Sequence, residues 1–200
     1  PDPDAFVGRV SVSATRQLRG TMSSEIIPVT QEIELRAVEE RYTTDLHNLV
    51  IKNKTWLQTA FDWAQHVGTE EDTRRNVQSN QMLHQRGYAK MFLIFMNDEL
   101  VGVLSFNAIE PANKAGYIGY WLAKAHQGQG ILSQALQAFM RYYVERGEIR
   151  RFVIKCRVAN HNSNRVAQRN GFALEGCLRE AEMLNGRFDD VNLYARLFPL

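Results

Sequence analysis

Cysteine is nearly absent from this chain: Cys156 and Cys177 are the only two among 200 residues. Two thiols cannot staple a small fold, so a disulfide framework is excluded and a reducing, cytoplasmic setting is expected. Long apolar runs are missing too. None approaches the ~20 residues that a membrane-spanning helix needs, so no membrane partner is expected. Nor is there an excess of charge, since 24 Lys and Arg face 22 Asp and Glu for a formal +2. Domains that grip a phosphate backbone carry a clear basic surplus, which argues against nucleic acid as a partner. The histidines His47, His66, His84, His126 and His161 lack metal-ligand spacing, and no metal is expected.

The first 21 residues, PDPDAFVGRVSVSATRQLRGT, show no sustained apolar period, no cap signals and no apolar core of a secretory signal. They read as a leader of vector origin, with a native disordered arm as the alternative. Without their three arginines and two aspartates the net charge falls to +1. Residues 22–200 carry no repeat or low-complexity linker and read as one domain. A hydrophobic share of 44% is enough for a single core.

Along that domain strands and helices alternate. Glu32 to Arg36 alternates polar and apolar residues, as a half-buried strand does. Thr43-Thr44 opens a helix with Leu46, Leu49 and Val50 on one face, and Trp56, Phe61 and Trp63 then fall in an irregular stretch. Thr69 and Asp72 have capping-box spacing before a polar helix that ends near Gly87. Lys90–Phe95 and Leu100–Phe106 form a hairpin about Asn97-Asp98, and Gly116–Leu122 is a further strand. Ile131, Leu132, Ala135, Leu136, Phe139, Met140 and Tyr143 recur at helical spacing up to Gly147. Phe152, Ile154, Cys156 and Val158 share one side of the next strand, and a short helix runs from Ser163 to Asn170. Phe172–Leu184 and Val191–Leu197 flank Asn185-Gly186, a type I′ hairpin signal. The order predicts an α/β fold, a mixed sheet covered by helices.

The segment from Tyr120 to Leu132, YWLAKAHQGQGIL, is the most informative. A strand runs through a glycine-rich loop into the strongest helix of the chain. Backbone amides freed by glycine and the positive end of the helix together make a phosphate or pyrophosphate site. A bare βα turn is the alternative. The loop is neither a Walker motif nor the dinucleotide fingerprint, because neither Gly-Lys-Ser/Thr nor a third glycine follows.

Gln127-Gly128-Gln129-Gly130 resembles the pyrophosphate loop of the GNAT acetyltransferases, with Leu132 departing from the small residue usual at the last position. Asn160-His161-Asn162-Ser163, followed by Asn170-Gly171-Phe172, resembles the family's second signature. The stretches Lys52–Gln58, Leu83–Lys90, Arg150–Val158 and Asp190–Arg196 are similar to the ribosomal-protein-serine acetyltransferases of the RimL type. The resemblance covers essentially residues 22–200. It implies the GNAT fold, a central twisted mixed sheet of about six to seven strands flanked by four helices. It also implies acetyl-CoA as cosubstrate, the N-terminal serine amine of a ribosomal stalk protein as acceptor, direct transfer in a ternary complex, and a homodimer. The competing readings are acetylation of a small amine, such as a polyamine or aminoglycoside, and a non-catalytic acyl-CoA-binding regulator.

Set against that chemistry, the residues divide into roles. Ile118, Tyr120 and Leu122 lie on the strand whose free N–H would face the thioester oxygen, and Gln127, Gly128, Gln129, Gly130, Ile131 and Leu132 would hold the pyrophosphate. Asn160 fits a clamp on the pantetheine amides, with an Asx turn as the alternative. The family's usual acid, a Tyr four residues after the signature serine, is replaced here by Ala167. Ser163 is the remaining hydroxyl and the candidate to stabilise the leaving thiolate; an N-cap of the following helix is the alternative, and the two are not exclusive. Glu182 is the expected general base; Glu180 shares its face by strand alternation and stands second. Cys156 reads as a buried core thiol rather than a nucleophile. Arg150, Arg151, Lys155 and Arg157 form a basic patch, either a solvated face or a site for a phosphate or an acidic protein.

Overall fold

The computed structural model describes residues 25–200; the leader expected over residues 1–21 lies outside them. Eight strands form one sheet: β1 (Ile26–Pro28), β2 (Ile33–Ala37), β3 (Lys90–Met96), β4 (Glu99–Glu110), β5 (Ala115–Leu122), β6 (Arg151–Arg157), β7 (Ala173–Leu184) and β8 (Arg187–Leu197). Four α-helices accompany them: α1 (Thr43–Ala60), α2 (Glu70–Arg86), α3 (Ile131–Glu145) and α4 (His161–Arg169). The strand order is β1-β2-β3-β4-β5-β6-β8-β7, and only β5 and β6 run parallel. This is the expected mixed α/β architecture with one more strand than foreseen. β1 has three residues and one buried side chain, Ile27, too little to show alternation in the sequence.

Other boundaries moved for identifiable reasons. Trp56 is helical, because α1 continues to Ala60. Its buried stripe of Leu46, Val50, Asn53 and Leu57 includes a polar residue, which hid the continuation. β8 begins at Arg187 rather than Val191, since a two-residue turn at Asn185 and Gly186, both at positive φ, forces pairing at once. Val158 lies beyond β6 and is exposed, not part of its buried face. The capping box at α2 is present as expected: Thr69 Oγ1 accepts from the Asp72 N–H, and Asp72 accepts from the Thr69 N–H at 2.9 Å.

The sheet separates two cores. On one face α3 and α4 bury Phe92, Phe106, Phe139, Tyr143, Phe152 and Ile154, with the Phe106 and Phe139 rings 4.5 Å apart. On the other, α1 and α2 bury Val50, Leu57, Val77 and Leu93 with Phe95, Val103 and Trp121. Truncating a fully buried ring such as Phe139 to Ala would cost roughly 3–5 kcal/mol.

Candidate active site

The site begins where the sheet opens. β5 and β6 pair only from Ala115 with Arg151 to Ile118 with Ile154. Beyond that, Gly119–Leu122 stay bonded to β4, while Lys155–Arg157 stay bonded to β8. The two parallel strands therefore part, and the β5 backbone facing the gap has no partner on β6.

The loop after β5 is built for an anion. Gly128 and Gly130 both adopt left-handed φ, +79° and +77°, with nothing within 4 Å of the place a Cβ would occupy. Glycine is thus required for backbone conformation, not for room. Gly130 is the N-cap of α3 and offers no side-chain acceptor, and the first turn holds no acidic residue. The first N–H groups of this 15-residue helix consequently have no side-chain cap, and the helix dipole stands behind them. Gln127 turns back, its Nε2 donating to the Leu122 carbonyl at 2.9 Å, so its side chain shapes the loop. Asn53, buried in α1, accepts from the Lys124 N–H at 3.0 Å and from Trp56 Nε1 at 2.9 Å. That clasp ties α1 to the loop.

Opposite the loop stands α4. Asn160 is its N-cap, with Oδ1 accepting from the Ser163 N–H at 3.2 Å. Ser163 is therefore in the first turn, and the N-cap role considered for it belongs to Asn160. The Tyr120 hydroxyl reaches over from β5 to Ser163 Oγ (3.0 Å) and to the Ser163 carbonyl (3.2 Å). Burial pushes the Tyr120 phenol well above its ordinary range, so it stays protonated. The Cys156 thiol lies beside them, pushed up to about 11 by burial, with a hydrogen bond to Ser163 opposing the shift and the Glu182 charge adding to it. Tyr120, Ser163, Cys156 and Glu182 accordingly converge on the opening.

The α1–α2 face of the opening is a cleft of about 410 Å³ lined by Asn107, Ala108, Glu110, Tyr117, Ile118, Lys155 and Glu182. Tyr117 Oη donates to Glu110 Oε1 at 2.5 Å. That bond lowers the Glu110 carboxyl and raises the Tyr117 phenol. Lys155 Nζ lies 5.1 Å from the centre of the Tyr117 ring. Trp63 packs on Trp121 at 6.4 Å and beside Phe61 at 5.7 Å.

A family model described as an acetyltransferase (GNAT) domain matches residues 32–173. The chain belongs to the GNAT acetyltransferase family. It is 63% identical over 174 residues to the ribosomal-protein-serine acetyltransferase of Escherichia coli (strain K12), covering 87% of this chain and 97% of that protein. A solved structure of RimL, a ribosomal L7/L12 α-N-protein acetyltransferase, contains coenzyme A in a disulfide with a cysteine. It aligns with a TM-score of 0.85 at 63% identity, over 86% of this chain and 98% of that one. The microcin C7 self-immunity acetyltransferase MccE, solved with acetyl-CoA and AMP, is 38% identical with a TM-score of 0.83, covering 85% and 94%.

This GNAT chain is an acetyl-CoA-dependent acetyltransferase. Its residues fit that cosubstrate: parted strands leave room for a thioester arm, and the open first turn of α3 suits a pyrophosphate. Among the described residues no cluster with metal-ligand geometry occurs, and no helix is long and apolar enough to cross a membrane.

Two expectations need correction. Glu180 does not share the face of Glu182, because β7 bulges between them. Leu178 pairs with Val191 and Glu182 with Asp189, so alternation restarts. Glu180 itself takes a left-handed φ of 48°, with its N–H bonded to Asp190 Oδ1. The basic patch is also dispersed. Arg150 bonds the Phe198 carbonyl, Arg151 pairs with Glu175, and Arg157 holds Asp189 and the Thr59 carbonyl. Lys155 alone of the four faces the cleft. Sequence reasoning missed Asn53 and the Tyr120 hydroxyl, whose contacts join residues far apart in the chain.

Proposed function

We propose that this GNAT enzyme transfers the acetyl group of acetyl-CoA to the N-terminal α-amine of a serine-initiated ribosomal stalk protein. The observation that carries the acceptor assignment is the 63% identity, over 97% of its length, to the E. coli ribosomal-protein-serine acetyltransferase. An open cleft suits a flexible chain terminus. A ribosomal acceptor fits a cytoplasmic enzyme.

Acetyl-CoA supplies the activated acyl group. The main chain of Gln127, Gly128, Gln129, Gly130, Ile131 and Leu132 binds its pyrophosphate. Ile118, Tyr120 and Leu122 contribute the β5 backbone along the thioester arm, where a free N–H stabilises the carbonyl oxygen as charge develops. Asn160, its Oδ1 committed to the helix cap, offers Nδ2 to the pantetheine amides. An α-amine has an ordinary pKa near ~8 and attacks only when neutral. Glu182 removes its proton, directly or through one water. Ser163, oriented by Tyr120, donates to the departing sulfur. Direct attack needs no acyl-cysteine, and burial, by pushing the Cys156 thiol up to about 11, disfavours the thiolate such a relay would use.

We further infer a homodimer that covers β7, an edge strand exposing Leu174 at one end and Met183, paired with the exposed Phe188 of β8, at the other. Light scattering on the purified chain would report a monomer if this is wrong.

A thiol-release assay with a serine-initiated stalk peptide, set against spermidine, tests the reaction. Turnover of the peptide is expected. Turnover of spermidine alone would assign a small-amine enzyme, and coenzyme binding without turnover would assign a regulator.

A further inference from the structure

Asn107 is among the polar side chains of the cleft that the chemistry above leaves unused. Asn107 is the extra residue of a bulge in β4: Phe106 pairs with Ile118 and Ala108 with Tyr117, leaving Asn107 without a partner on β5. Bulges of this kind re-aim a side chain. Here the carboxamide lies flat on Gly119, where a Cβ would stand 2.5 Å from Asn107 Nδ2 and 2.8 Å from Oδ1. Only glycine leaves that seat open. Ser105 Oγ lies 2.8 Å from Asn107 Oδ1 and 3.3 Å from the Gly119 carbonyl, and its donation to Oδ1 fixes the amide with Nδ2 turned away. Among the described residues this is the only hydrogen bond of the Asn107 side chain.

The position of this amide gives it meaning. Gly119 is the first β5 residue past the last β5–β6 pair, so the carboxamide stands at the mouth of the opening. It shares the cleft with Glu182. The neighbouring Glu110 and Tyr117 already satisfy each other.

We propose that Asn107 is a specificity-determining residue whose Nδ2 donates to the side-chain hydroxyl of the acceptor's N-terminal serine. The proposal rests on the N-terminal-serine reading above. That hydroxyl lies one methylene beyond the carbon bearing the attacking amine. Its donor must therefore stand beside the transfer point, on the acceptor side of the sheet, and Asn107 does both. Lys155 is the other donor of the cleft, but an ammonium on a flexible stem selects charge rather than the position of a neutral hydroxyl. An amide pinned by Ser105 and Gly119 selects position.

The test is kcat/KM on two stalk peptides that differ only in a first residue of serine or alanine. The wild-type chain is expected to favour serine by roughly tenfold, the worth of one neutral hydrogen bond. Asn107→Ala is expected to slow the serine peptide by about that factor, leave the alanine peptide nearly unchanged, and bring the ratio towards unity. Ser105→Ala, which frees the amide without removing it, is expected to reduce the ratio part-way. Calorimetry of coenzyme A binding confirms that each variant is folded.

Equal losses on both peptides would make Asn107 merely structural and overturn the proposal. So would a ratio that survives Asn107→Ala but collapses in Lys155→Met. Wild-type turnover without any serine preference overturns this proposal alone. Wild-type failure on both peptides, with spermidine acetylated, overturns the acceptor reading and this proposal together.

Discussion

The Tyr120 hydroxyl lies 3.0 Å from Ser163 Oγ and 3.2 Å from the Ser163 carbonyl oxygen, joining β5 to α4 across the opening of the sheet. When the phenol donates to Ser163 Oγ, the shorter of its two contacts, Ser163 keeps its own proton for a leaving sulfur. Ser163→Ala is expected to lower kcat by roughly ten- to a hundredfold, the worth of a hydrogen bond to a charged group. Tyr120→Phe should cost less, about threefold to tenfold, because it loosens the orientation but keeps the donor. Single-turnover acetylation of the serine peptide measures both. A larger loss for Tyr120→Phe than for Ser163→Ala would transfer the donor role to the phenol.

Glu182→Gln removes the proposed base while preserving size. At neutral pH kcat is expected to drop about a hundredfold. Above the ordinary amine pKa near ~8 the acceptor sheds its own proton and the deficit should narrow. Glu180→Gln should matter little, since the bulge turns that residue's backbone into a left-handed conformation. Rate–pH profiles of the two variants decide between them. A deficit that stays constant to high pH would remove Glu182 from the proton path.

A separate pH effect belongs to the fold. Hydrogen bonds from the Thr69 and Gly68 N–H groups lower the Asp72 carboxyl from an ordinary 3.8 to about 2. A depressed carboxylate lends stability that is present above its unfolded pKa and lost as pH falls through the folded one. Wild type and Asp72→Asn should therefore differ in Tm above pH 4, and the difference should shrink as pH approaches 2. A difference that stays constant across that range would show that the N-cap geometry, and not the charge, does the stabilising. The comparison is best made by thermal unfolding followed at α-helical ellipticity.

The helices and most strands were legible because their signals are local. The Thr69–Asp72 box, the stripe on α3 and the Asn185-Gly186 turn each depend on residues within a few positions. The glycine-rich loop entering α3 was legible for the same reason. What stayed hidden depends on register. The partner that gives Asn53 its role, the Lys124 N–H, lies 71 residues on. Asn107 and Glu180 sit at bulges, where a strict two-residue period assigns the wrong face. The basic run of β6 dissolved because its partners, Glu175 and Asp189, come from strands later in the chain.

Cys156 offers the sharpest separation of direct transfer from a covalent relay. Its thiol is buried and pushed up to about 11, whereas Cys177 is exposed. That shift keeps Cys156 as the thiol at neutral pH, a poor nucleophile towards a thioester. A disulfide reagent added to the native protein is expected to label Cys177 first and Cys156 chiefly after unfolding. Cys156→Ala should keep kcat within about fivefold of wild type, the loss coming from the small cavity it leaves. Ser163 keeps its Tyr120 partner in that variant, so the leaving-group contact survives. An acetylated Cys156 trapped by mass spectrometry, with loss of turnover in the alanine variant, would replace direct attack by a two-step route.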